Sequence, residues 1–225
     1  MTFGAIFDWD GVIIDSSRQH EKSWHLLASE EKRTLPDNFF RRSFGMKNEN
    51  IIPELLGWTS DVEQIRRLSR RKEELYREII TRDQISLLPG TKELLTALQA
   101  ESVPCAIASS TPRPNIDCVI DRLGIRDFFQ VVVTGEDVRH GKPNPEVFLL
   151  AASRLRIAPA QCIVFEDAHV GVEAALAGGM KVIAVATTHP ASSLKEAHLV
   201  VSTLELVDMK VIALLLHPEA NGLGE

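Results

Sequence analysis

Phe7-Asp8-Trp9-Asp10-Gly11-Val12-Ile13-Ile14-Asp15 is the stretch from which the rest of the chain can be read. Ala5-Ile6-Phe7, just before the acids, is an apolar run of the length expected of a strand covered on both faces. It stops on two carboxylates with one residue between them. Gly11 follows, so the chain can turn sharply out of a sheet at a φ that other residues avoid. Asp is a poor strand former, and two of them beside a core strand oppose folding. They read either as an acidic strand end or as a nucleophile and proton shuttle at the rim of a parallel sheet, where α/β folds keep their sites. The second reading is the expectation taken forward.

Beyond this stretch the pattern divides. From Leu87-Leu88-Pro89-Gly90 onward, helices and strands alternate. Strands are expected at Cys105–Ala108, Val131–Val133, Ile163–Phe165 and Val182–Val185, with an edge strand at Leu199–Val201. Helices are expected at Thr91–Ala100, Asn115–Leu123, Pro145–Leu155 (capped by Asn144), Val170–Ala177 and Leu204–Leu216. This alternation means an α/β protein with a doubly wound parallel sheet. Between Ser16 and Asp83 nothing resembles a strand. Helices are expected at Ser17–Glu31, Asp37–Phe44 (ending at Gly45), Asn48–Leu56 and Asp61–Thr81, the last with Ile65, Leu68, Leu75, Ile79 and Ile80 on one apolar face. The domain expectation is a core of residues 1–15 and 84–225, with residues 16–83 inserted as an all-helical cap on a small core of its own.

A net charge of −6 argues against a nucleic-acid binder that relies on general phosphate attraction. The charge is uneven: residues 16–83 hold 14 Lys and Arg against 12 Asp and Glu, while the remainder is acidic. No apolar run is long enough to span a bilayer. Three cysteines, Cys105, Cys118 and Cys162, show no CxxC spacing, as suits a reduced interior. A cytoplasmic monomer with no membrane or nucleic-acid partner is expected.

Four strand ends then bring polar groups to one sheet edge: Asp8 and Asp10, Ser109, Lys142 in Gly141-Lys142-Pro143-Asn144-Pro145, and Glu166-Asp167. Lys142 precedes a helix start, where the dipole opposes a cation by about 0.3–1 kcal/mol, so folding does not ask for it. Each adjacent carboxylate pair repels by about 1 kcal/mol in water and ~4 at the intermediate dielectric of a protein surface. A hard divalent cation relieves that, and Mg²⁺, which takes few carboxylates together with water and phosphate, fits best. A signalling receiver module also phosphorylates an Asp beside Mg²⁺, but it lacks a helical insert and its Asp is not in the first strand.

The set resembles the haloacid dehalogenase-like superfamily of phosphatases and mutases. Phe7-Asp8-Trp9-Asp10-Gly11-Val12 is similar to its first motif, Ser109 to its second, Lys142 to its third and Glu166-Asp167 to its fourth. The resemblance implies a Rossmann-like core in which Asp8 attacks phosphorus to form an aspartyl-phosphate. Asp10 protonates the leaving oxygen and then takes a proton from water; for this its pKa is expected to be raised by anionic neighbours. Ser109 and Lys142 hold phosphoryl oxygens, and Trp9 and Ser110 stand beside them. Mg²⁺ sits on Asp8, the Asp10 carbonyl and Asp167, with Glu166 close by or directly bound. The closest likeness is to the β-phosphoglucomutase-like group, whose cap implies a catalytic-assist role for His20 and substrate-side places for Trp24 and Lys72. The alternatives are core packing for Trp24 and a solvated charged face for Lys72. In Gly45-Met46-Lys47-Asn48-Glu49, Asn48 takes the place of an Arg that grips a second phosphate in the mutases, and Lys47 is its partial substitute. A phosphatase acting on a small phosphorylated metabolite is therefore placed ahead of a mutase. Phe44–Trp58 also resembles the caps of phosphatases acting on riboflavin-pathway phosphates.

Overall fold

A computed structural model describes residues 3–43 and 46–216. Phe44 and Gly45, where the second cap helix is expected to end, lie outside the described residues, as do the last nine residues. Six strands form one parallel sheet: β1 (Gly4–Phe7), β2 (Cys105–Ala108), β3 (Val131–Val133), β4 (Cys162–Glu166), β5 (Lys181–Val185) and β6 (Leu199–Val201). Their order is β3-β2-β1-β4-β5-β6, and every neighbouring pair is parallel. The order reverses at β1, so a crevice opens beyond its carboxyl end. Asp8 is the next residue.

Alternation along the strands divides the core in two. Ala5 and Phe7 of β1, with Ile107, Phe165 and Ile183, face one layer; Ile6, with Ala106, Val164 and Val182, faces the other. The first layer is covered by α5 (Thr91–Ala100), α6 (Arg113–Arg122) and α9 (Met209–Leu216), the second by α7 (Glu146–Leu155) and α8 (His169–Ala177). Phe7 and Phe165 stack at 4.4 Å between centroids. No described helix is long and apolar enough to cross a membrane.

The inserted segment contains α1 (Ser17–Glu30), α2 (Phe39–Ser43), α3 (Asn48–Asn50) and α4 (Val62–Arg82). Asp61 caps α4 by accepting the Gln64 N–H at 2.8 Å. Trp24, Leu27, Phe39, Ile51, Ile52, Trp58, Ile65, Leu68 and Leu75 form an apolar cluster between these helices. Tyr76 and Ile80, further along α4, belong to the main core instead, so this helix runs from one cluster into the other. The chain leaves and re-enters the core side by side, with Ile14 bridged to Leu87 and the Leu88 N–H on the Ile13 carbonyl.

Two helix expectations change. The Asn48–Leu56 helix is one α turn followed by a wider π turn over Ile51–Leu55, closed by the Leu56 N–H on the Ile51 carbonyl. Pro53 lies inside it and has no N–H to continue the α ladder. The last helix starts at Met209 rather than Leu204, because the Asp208 carboxylate accepts the Lys210 and Val211 N–H groups. Leu204–Leu206 is a separate 3₁₀ turn. At α7, Asn144 accepts the Glu146 N–H and the helix begins at Glu146.

Candidate active site

Beyond the sheet edge lies a cavity of about 730 Å³ between core and cap. Asp8, Asp10, Ser109, Ser110, Lys142, Glu166 and Asp167 line its sheet end, and His20, Trp24, Lys47, Asn48, Ser69, Lys72 and Glu73 its cap end.

Lys142 holds the sheet end together. Its ammonium donates to Asp8 Oδ1 at 2.9 Å and to Glu166 Oε1 at 2.5 Å, and lies 4.8 Å from the centre of the Phe148 ring. Burial alone would favour its neutral form, but the two carboxylates outweigh it and raise its pKa. Glu166 Oε2 accepts the backbone N–H groups of Asp167 and Ala168, so both of its oxygens are engaged. Gly171 stands against this carboxylate, and a Cβ there would overlap it. Asp167 accepts from the Thr188 hydroxyl. Gly11, at φ +80°, lets the chain turn directly beneath Asp167, whose carboxylate a side chain would strike.

Asp8, Glu166 and Asp167 offer oxygen atoms all within 4.8 Å of one another, and all three are buried. Burial pushes the Asp8 carboxyl up to about 7 despite Lys142, with Glu166 and Asp10 adding to the rise. Asp167 is raised well above the usual carboxylate range by burial and by the charges of Glu166 and Asp8. Three crowded carboxylates and one ammonium leave an excess of negative charge. Oxygen donors in that surplus suit Mg²⁺, so the residues fit the ion.

Asp10 points elsewhere, and here the expected direction of its pKa is corrected. Burial raises it, but a hydrogen bond and charge from His20 and the hydroxyls of Ser16 and Thr111 hold it below its ordinary value. His20 Nε2 stands 3.8 Å from Asp10 Oδ1. The anionic neighbours foreseen from the sequence lie nearer Asp8. Ser16 and Thr111 escaped the reading because a single hydroxyl beside a strand end carries no pattern.

Trp9 is also corrected. Its side chain is completely buried in the main core and does not line the cavity; its carbonyl accepts the Ile13 and Ile14 N–H groups. Ser109 is 2% exposed, and its hydroxyl accepts the Thr111 N–H at 3.2 Å. Trp24 packs in the cap cluster and also lines the cavity.

Lys72 is not on a solvated face. It is 2% exposed, with its ammonium 2.6 Å from His20 Nδ1, 3.0 Å from Glu73 Oε1 and near the rings of Trp24 and Tyr76. His20 stacks on Tyr76 at 4.1 Å. Glu73, also buried, accepts from Asn48 at 2.7 Å and from Asn115 of α6, whose own carbonyl oxygen accepts from Arg77 at 2.8 Å. Burial would raise the Glu73 pKa, but Lys72, His20 and Asn48 bring it below the ordinary value. Lys47 reaches from the cap to the Gly135 carbonyl at 3.4 Å and packs its stem on Gly141.

Comparison with known proteins places this geometry. The model of the haloacid dehalogenase-like hydrolases matches residues 4–179. The chain is 41% identical over 215 residues to the chloroplastic 5-amino-6-(5-phospho-D-ribitylamino)uracil phosphatase of Arabidopsis thaliana, covering 93% of this chain and 57% of that protein. It thus spans little more than half of that relative's length. It is 30% identical over 177 residues to a phosphorylated carbohydrates phosphatase of Thermotoga maritima, covering 79% of this chain and 82% of that one. A solved β-phosphoglucomutase from Clostridium difficile superposes with a TM-score of 0.85 at 27% identity, covering 98% of this chain and 99% of its own.

Proposed function

The chain belongs to the haloacid dehalogenase-like hydrolases, and on that footing we propose that it is a Mg²⁺-dependent phosphatase in which Asp8 is the nucleophile. The observation that carries the reading is the bridge of Lys142 between Asp8 and Glu166 at the open end of β1, with Asp10 two residues on. Asp8 and Asp167, with the Asp10 carbonyl, would hold Mg²⁺, and Glu166, committed to Lys142 and two backbone N–H groups, supports them. Bound there, the ion supplies positive charge that lets a carboxylate and a phosphate approach each other.

Lys142 and Ser109 position the phosphoryl oxygens and offset their charge, which is most of what phosphoryl transfer asks of a protein. The Asp8 carboxylate forms a bond to phosphorus as the bond to the leaving oxygen breaks, dividing one difficult hydrolysis into two steps. Asp10 gives the leaving oxygen its proton and later accepts one from the attacking water. Because its donors favour the carboxylate in the free protein, it takes up that first proton as the phosphate's charge arrives beside it. His20, held by Lys72 and stacked on Tyr76, keeps Asp10 oriented. Residues 16–83 act as a cap whose closure excludes water. The substrate is a small phosphorylated metabolite met by a monomeric protein in a reducing compartment such as the cytoplasm. The three cysteines are free, which supports that setting.

The similarity to the Arabidopsis enzyme makes 5-amino-6-(5-phospho-D-ribitylamino)uracil the first substrate to try. Release of phosphate from a panel of phosphorylated metabolites, with and without Mg²⁺, tests the proposal. Mutase chemistry is the second reading, favoured by the likeness to β-phosphoglucomutase. Conversion of β-glucose 1-phosphate, primed with a bisphosphate, into glucose 6-phosphate without free phosphate would put the mutase first.

A further inference from the structure

Glu73 is a buried carboxylate outside the set at the strand ends, and it is fully occupied. Asn48 donates to one of its oxygens at 2.7 Å and Lys72 to the same oxygen at 3.0 Å, while Asn115 donates to the other. Asn115 belongs to α6 of the core and has no exposed surface. Arg77, one turn beyond Glu73 on α4, donates to the Asn115 carbonyl oxygen at 2.8 Å. A guanidinium can only donate, so this contact turns the Asn115 amide nitrogen toward Glu73. One side chain of the core is thus gripped at both of its polar atoms by α4.

The contacts continue from Glu73 toward the reacting atoms. Lys72, as an ammonium, has donors and no acceptor, so its 2.6 Å contact with His20 Nδ1 requires that nitrogen to accept. A ring nitrogen that accepts carries no hydrogen. His20 therefore bears its hydrogen on Nε2, the nitrogen 3.8 Å from Asp10 Oδ1. The ring is fixed in this form only while Lys72 keeps its charge, because a neutral amine can accept the Nδ1 hydrogen instead. Lys72 is 2% exposed, and among the described residues Glu73 is the one carboxylate paired with it. Burying such a pair adds little stability, since desolvation offsets the attraction. Folding alone gives weak reason to keep it.

We propose that Glu73, gripped from the core by Asn115, is a positioning residue for Asp10: its charge keeps Lys72 an ammonium, and Lys72 keeps His20 in the Nε2–H form that steadies the Asp10 carboxyl. This rests on the phosphatase reading above, in which Asp10 delivers the proton to the leaving oxygen.

The test uses the full chain with Mg²⁺. Nitrogen-15 NMR separates a protonated ring nitrogen from an unprotonated one, and the signals lost in His20→Gln identify His20. In the wild type the hydrogen is expected on Nε2. Glu73→Gln keeps the size of the side chain and removes its charge, and the hydrogen is expected to move to Nδ1. Activity gives the second readout. Ribitol 5-phosphate loses an alkoxide, which needs the proton from Asp10, whereas p-nitrophenolate leaves without one. Glu73→Gln should therefore lower kcat/KM for ribitol 5-phosphate by about tenfold relative to p-nitrophenyl phosphate, the size of one lost hydrogen bond to a charged group. Asn115→Ala should move both readouts the same way and less far, and it decides the matter by itself should Glu73→Gln fail to fold. A wild-type hydrogen on Nδ1 would overturn the proposal with no variant needed. So would a His20 ring unchanged by the substitutions, or equal losses on the two esters. Each of these leaves the phosphatase intact. Release of phosphate from neither ester by the wild type would sink the phosphatase reading, and the role of Glu73 with it.

Discussion

At the sheet end of the cavity, Asp8, Glu166 and Asp167 follow or end buried parallel strands and are tied by Lys142 and backbone N–H groups. At the cap end, Lys72 and Glu73 stand on one helix and are held by other side chains, Asn48, His20 and Asn115 among them. The first arrangement is anchored in a sheet that cannot shift without breaking the core. The second lies mostly within the inserted segment, and its Asn115–Glu73 bond crosses to the core and separates if the two move apart. The contrast suits the proposed reading, in which the rim performs the chemistry and residues 16–83 close over it.

The difference can be broken or sharpened by experiment. Removing divalent cations with a chelator should lower phosphatase activity by roughly a thousandfold, the worth of several kcal/mol of charge stabilisation, and added Mg²⁺ should restore it. Steady-state rates before and after dialysis measure this. Lys142→Ala should lower kcat by about 10²–10³-fold. Asn115→Ala, which removes a donor from the buried Glu73 carboxylate, should cost about 1.5–3 kcal/mol in chemical denaturation and act far less on kcat than Lys142→Ala does. Equal effects of the two variants on kcat would erase the distinction between the ends.

The smallest predicted effect concerns pH. The Thr111 hydroxyl is one of the donors that hold the Asp10 carboxyl below its ordinary value. Thr111→Val should raise that pKa. Asp10 must be ionised to accept a proton from water, so the acidic limb of the kcat profile should move to higher pH. A profile of kcat against pH for the two proteins checks the sign.

The sheet end was largely legible because its signals coincide with a change of pattern: an apolar strand run stops abruptly on Asp8, or on Glu166-Asp167. Lys142 stood out as a cation against a helix start. What escaped comes from three-dimensional convergence. Thr111, Thr188 and Ser16 are single hydroxyls, Asn115 lies in the first turn of a helix, and none departs from its local pattern. In Arg70-Arg71-Lys72-Glu73-Glu74, composition suggests a solvated run, yet the turn of the helix buries Lys72 and Glu73 and leaves Arg70 exposed. Trp9 was drawn toward the site by its two acidic neighbours. Its side chain instead packs in the core, as the alternation of a chain leaving a strand allows.

The most direct test of the account is to find where the phosphoryl group goes. Protein mixed with substrate and Mg²⁺, quenched in acid and mapped by mass spectrometry, should carry a transient phosphoryl adduct on Asp8, absent from an inactive Asp8→Asn variant. An adduct on another residue, or full activity in Asp8→Asn, would contradict it.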